Sequence, residues 1–192
     1  MNIFATAIIT TNTQLKDILV SNLSLQKIPW ELDIYAKKDV DFNIVLVCSS
    51  DFEKACDYLK SNYELLKITY IWTWETFCNI DLKLWDIVVP NTILNRENQA
   101  FFIEESVSWN FDLNKFWLML NGICLTLGES VWEDEIINIK EESAADIVDR
   151  ELFFVANEIN KVDKIDKFSA VIIIWTEEEY LKNGANILEL ML

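Results

Sequence analysis

Carboxylates are the chief groups this sequence offers for acid–base chemistry. It holds 32 acidic and 16 basic side chains and no histidine, for a net charge of −16. The commonest general base near neutral pH is therefore missing. Proton transfer must fall to aspartate, glutamate, lysine, tyrosine or cysteine. The four cysteines, Cys48, Cys56, Cys78 and Cys124, never stand in Cys-x-x-Cys spacing. Without histidine, a zinc site would need scattered thiolates and carboxylates, so no metal is expected. A nucleophilic role for Cys78 would need a base beside it. Only three glycines exist, Gly122, Gly128 and Gly184. That inventory excludes a glycine-rich phosphate loop, and no cofactor is expected.

The acidic surface repels phosphate backbones and anionic lipid, which excludes nucleic acid and membrane as partners. No apolar run reaches the length of a membrane span. The absence of a signal peptide predicts a cytoplasmic setting. Cys48 and Cys124 lie in apolar runs and read as buried thiols. Hydrophobic content of 52% over 192 residues predicts one globular domain, residues 1–192.

The elements that must position any site alternate strand and helix. Residues 3–10 read as a strand. Thr13 to Leu25 carries Leu15, Ile18, Leu19 and Leu23 on helical spacing, with Thr13 as N-cap. Trp30 to Tyr35 alternates like an edge strand. Asn43 to Cys48 is a continuous apolar strand. Asp51 caps a helix running to Leu66. Ile68 to Trp72 is a strand. Asp86–Leu94 and Ala100–Val107 pair through the Asn95–Asn98 turn. Asn114–Asn121 reads as helix, Ile123–Leu127 as strand, and Glu133–Glu142 as a turn of helix. Asp149–Asn160 is a core-facing helix, Ser169–Trp175 a buried strand, and Glu177–Leu190 a closing helix. Such an order predicts an α/β fold with a mixed central β-sheet flanked by helices.

One stretch carries a family resemblance. Residues 68–90 read ITYIWTWETFCNIDLKLWDIVVP. A strand, a loop through Leu82-Lys83-Leu84, and a second strand opening Asp86-Ile87-Val88-Val89-Pro90 resemble the nucleoside phosphorylase and nucleosidase superfamily. In that family a strand ends in an Ala-Gly-Gly loop, and Leu-Lys-x-Gly-Asp-Ile-Val-Val-Pro follows. The resemblance implies a three-layer phosphorylase/hydrolase-like fold, a purine nucleoside or base as ligand, and a homodimer. It extends over residues 3–180, with the specific motif before Pro90. Ala145 to Glu151 occupies the place of the family's ribose-binding motif, with Val148 at the methionine position and Asp149 at the glutamate position. Val171 to Trp175 resembles the strand before the family's catalytic aspartate, whose position falls at Glu179.

The departures run in one direction. Ser49-Ser50-Asp51 replaces the early Gly-x-Gly loop, and an aspartate there opposes a phosphate anion. Trp74-Glu75-Thr76 replaces Ala-Gly-Gly, where backbone must lie close to base and sugar. Trp85 replaces a glycine, and Trp175 replaces the strand-end arginine. N-glycosidic hydrolysis needs an acid at the base, a group on the ribose and a carboxylate positioning water. Asp149 and Glu179 are the candidate catalytic pair, with Glu75 as a third acid. Trp74, Glu75, Val148 and Trp175 are the candidate ligand contacts. Each has a plainer reading. Asp149 is better read as a helix N-cap, with Asp146 as competitor. Glu177–Glu179 read as a first-turn acidic cluster on a helix dipole. Trp72 and Trp175 read first as core packing, while Trp74 divides evenly between core and purine stacking. The expectation is a degenerate, non-catalytic nucleosidase-fold protein that binds a partner or itself. The alternatives are a hydrolytic purine nucleosidase acting on methylthioadenosine, adenosylhomocysteine or futalosine, and a merely architectural likeness.

Overall fold

The computed structural model describes residues 3–38, 43–74, 87–103, 118–128 and 145–174. Ten strands and three α-helices are described. The strands are β1 (Phe4–Thr10), β2 (Gln26–Ile28), β3 (Asp33–Lys38), β4 (Asn43–Cys48), β5 (Glu64–Trp74), β6 (Ile87–Asn95), β7 (Ala100–Phe102), β8 (Leu118–Thr126), β9 (Ile147–Asp149) and β10 (Phe168–Ile174). The helices are α1 (Thr13–Asn22), α2 (Phe52–Asn62) and α3 (Leu152–Lys161). All ten strands join one sheet in the order β2-β3-β4-β1-β5-β10-β6-β8-β9, with β7 against β6.

The sheet is mixed, as expected. Strands β4, β1, β5 and β10 run parallel. Strand β6 crosses antiparallel to β10 and begins a second parallel set with β8 and β9. The register of β6 on β8 shifts around Pro90, which has no N–H to give the ladder.

Helices cover both faces, giving three layers. Leu15 and Leu19 of α1 are fully buried against Ile8, Leu46, Ile71, Val171 and Ile173. On the opposite face, α2 and α3 bury Ala55, Leu59, Leu152, Val155 and Ile159 against Ala7, Ile68, Tyr70 and Ile172. Alternate residues of β5 thus serve opposite layers, as the two-residue period of a strand requires.

Several boundaries differ from the sequence expectation. Asn12, not Thr13, caps α1: its side chain accepts from the N–H of Gln14 and Leu15. The helix ends at Asn22 rather than Leu25, and Ser24 takes a positive φ of 54°. Trp30 lies in the turn between β2 and β3, and β2 forms the sheet edge. Asp51 caps α2, but the helix stops at Asn62, because Leu65 is drawn into the ladder beside β1. Residues 118–121, expected as helix, belong to β8. Pairing with β6 from Ile87 onward overrides their local preference. Helix α3 starts at Leu152, and Asp149 closes a strand instead. The hairpin of β6 and β7 forms as expected, with Asn98 at φ 60°. Cys124 is buried, whereas Cys48 is only half-buried. The segments 104–117 and 129–144 and the residues Glu177–Leu190, expected as a closing helix, lie outside the described residues.

Candidate active site

The sheet has a topological switch point at the carboxyl ends of β1 and β4, the place where an open α/β sheet forms a crevice. Helix α1 leaves β1 toward one face, and α2 leaves β4 toward the other. In open α/β sheets this divergence is where ligands bind. Thr10, Thr11 and Asn12 line the end of β1, and Ser49, Ser50 and Asp51 the end of β4. The two loops are tied by the Ser49 N–H donating to the Thr10 carbonyl at 3.1 Å. Ser49 Oγ accepts from the Asp51 N–H at 2.9 Å, and Asp51 accepts from the Lys54 N–H at 3.1 Å. That last bond, with Lys54 alongside, holds the Asp51 carboxyl below its ordinary value. The Ser-Ser-Asp loop therefore holds an ionised carboxylate at the start of α2.

The N-terminus of α3 enters the same region. Glu151 precedes the helix, and its carboxylate accepts from Thr11 Oγ1 at 2.9 Å and from the Tyr70 hydroxyl at 3.0 Å. Residues from the turn after β1, from β5 and from the β9–α3 turn thus meet on one carboxylate oxygen. Burial, with Glu151 next to it, pushes the Tyr70 hydroxyl well above its ordinary value, so it stays a donor. Trp72 stacks on Tyr70 with ring planes 8° apart. Glu151 was not singled out by sequence. The only available signal was that the acid next to Asp149 in the same motif sits one residue before an apolar helix.

Asp149 is placed differently. It is 1% exposed. One oxygen accepts from Thr126 Oγ1 at 2.6 Å, and the other from the N–H groups of Glu151 and Leu152 at 3.1 and 2.8 Å. Thr126 Oγ1 in turn accepts from the Phe153 N–H at 2.9 Å. The pair satisfies three of the orphan donors at the start of α3. Burial raises the Asp149 carboxyl to about 6, against the lowering effect of those hydrogen bonds. Asp146, the other candidate cap, instead accepts from the Ile123 N–H at 2.8 Å. Val148 is buried beside Leu125, Leu127 and Ala145.

Trp74 closes β5, and its backbone stands opposite Ile174 of β10. Glu75, Trp175 and Glu179 lie outside the described residues. Among the described residues no cluster of acids and thiols is suited to hold a metal, and no helix is long and apolar enough to cross a membrane. A cleft of about 570 Å³ between Lys60, Tyr63, Glu64 and Lys164 lies at the opposite end of β5, away from this crevice.

No family model and no curated protein matches the sequence. Solved structures do match. The futalosine hydrolase of Helicobacter pylori strain 26695 aligns at a TM-score of 0.76 and 15% identity, over 100% of this chain and 98% of that one. The 5′-methylthioadenosine/S-adenosyl homocysteine nucleosidase of Campylobacter jejuni aligns at 0.75 and 16%, over 98% and 95%. The S-adenosylhomocysteine nucleosidase of Streptococcus pyogenes, in complex with 5-methylthiotubericidin, aligns at 0.73 and 16%, over 91% and 84%. The chain has the nucleosidase fold. Coverage is nearly complete in both directions, so the likeness extends well beyond the residues 68–90 motif. At such identity the likeness is one of fold.

Proposed function

We propose that this chain is a binding protein for a purine nucleoside or base, built on the nucleosidase fold, in which hydrolysis has been lost. The observation that carries the reading is the contrast between two carboxylates two residues apart. Asp149 is sealed in the protein with both oxygens engaged by its own fold. Glu151 is half-buried at the crevice and held by two hydroxyls. A single preorganised carboxylate suits the hydroxyls of a sugar. Glycosidic hydrolysis needs further acid–base groups in register with it, and no histidine exists to provide one. The fold of purine nucleosidases supports the ligand class.

Trp74, Glu75, Val148 and Trp175 are proposed to shape the ligand's surroundings, residues 1–192 to form one domain, and the setting to be cytoplasmic. A homodimer is part of the proposal, supported by the exposed Phe102 and Phe154 and checked by solution mass. The second reading is a hydrolytic purine nucleosidase, with Glu179 and Asp149 catalytic. The raised carboxyl of Asp149 favours it, because a proton donor near neutral pH is what such an enzyme needs.

Calorimetric titration with adenine, adenosine, inosine and 5′-methylthioadenosine, alongside chromatography for released base, separates the readings. Binding without base release is expected. Release that disappears in Glu179→Gln and Asp149→Asn would overturn the non-catalytic reading.

A further inference from the structure

The indole Nε1 of Trp72 is buried and has no hydrogen-bond partner among the described residues. Buried donors without partners are rare, because their hydration is lost with nothing in return. Trp72 is not remote from the crevice. Its ring stacks on Tyr70, with centroids 6.5 Å apart, and the Tyr70 hydroxyl donates to Glu151 at 3.0 Å. Trp72 and Tyr70 are two residues apart on β5 and so share one face of the sheet. The same face receives Glu151 and the start of α3. Thr11, Tyr70 and Glu151 satisfy one another, which leaves the indole N–H as the unmatched group in the set.

We infer that Trp72 is a specificity-determining residue of the crevice, its indole N–H donating to a hydrogen-bond acceptor on the base of the bound nucleoside. The inference rests on the nucleoside-binding reading above and adds a direction to it. Ribose hydroxyls are donors that suit the Glu151 carboxylate. An indole N–H is donor only, so its match is a ring nitrogen or carbonyl oxygen. A purine offers such acceptors beside the sugar. Tyr70 links the two ends, since its hydroxyl holds the carboxylate while its ring supports the indole.

The experiment is calorimetric titration of the full chain and of Trp72→Phe with adenosine and 5′-methylthioadenosine, repeated with their 3-deaza and 7-deaza analogues. The expected result is a roughly three- to tenfold weaker Kd in Trp72→Phe, the range of one net hydrogen bond. The loss should vanish for the one analogue that lacks the acceptor. Equal affinity of both proteins for every ligand would overturn the Trp72 assignment and leave nucleoside binding standing. No binding by the unaltered chain would overturn both. Should Trp72→Phe fail to fold, the Trp72 indole resonance of the ¹⁵N-labelled wild-type chain replaces it. A downfield shift of its proton on adding adenosine supports the inference, and a proton unmoved at saturation overturns it.

Discussion

Tyr70 and Glu151 stand 81 positions apart in the chain and meet at 3.0 Å, hydroxyl to carboxylate. Thr11 donates to the same Oε2 from the end of β1. This shared oxygen makes the pair a probe of how the crevice is held. Tyr70→Phe should destabilise the fold by about 1–2 kcal/mol, as expected for a hydrogen bond to a charged group that is not fully buried. Thr11→Val should cost less, because its hydroxyl is nearer solvent. The double variant should depart from additivity, since both donors address one acceptor. Urea denaturation of the four proteins measures the coupling. Strict additivity would mean that Glu151 is not gripped by both hydroxyls at once.

Asp149 ties stability to pH. Burial holds its carboxyl at about 6 in the folded chain, against a value near 4 for an unfolded aspartate. As pH falls, the folded state takes up this proton first. The contribution is therefore fully present below pH ~4 and is lost as pH rises through about 6. Its size is about 3 kcal/mol, at 1.36 kcal/mol for each pK unit. Asp149→Asn removes the titration while keeping an acceptor for the helix N–H groups. Between pH 4 and 7, the stability of the variant relative to wild type should rise by that amount. A difference that stays flat across this range in denaturant melts would show that Asp149 does not titrate there.

The cap of α1 gives a local test. Asn12 accepts from two helix N–H groups, while Thr13 is the first helical residue and exposed. Asn12→Ala should cost about 1 kcal/mol, within the usual range for losing such a cap. Thr13→Ala should fall within a few tenths of a kcal/mol of neutral, or stabilise slightly, because alanine is the better helix former. Thermal melts of both variants suffice, and a larger loss from Thr13→Ala would reverse the assignment.

The sequence by itself determined the layers. Continuous apolar runs such as Asn43–Cys48 can only be strands covered on both faces, and Leu15 with Leu19 can only be a helix laid on them. It also limited the groups open to acid–base work, since an inventory without histidine and nearly without glycine needs no coordinates to interpret. What the tertiary structure decided was pairing over distance. Residues 118–121 have the local character of helix and became strand because β6 offered a parallel ladder. Within the motif Val148 to Glu151, the family resemblance offered Asp149 as a ligand carboxylate, while its place before an apolar run read better as a helix cap. The fold turned that group inward to Thr126 and the start of α3, and held Glu151 against Thr11 and Tyr70 at the crevice. Spacing along a chain states which residues are neighbours in sequence. Which of two nearby acids is buried depends on partners 23 and 81 positions away, and only folding brings those together.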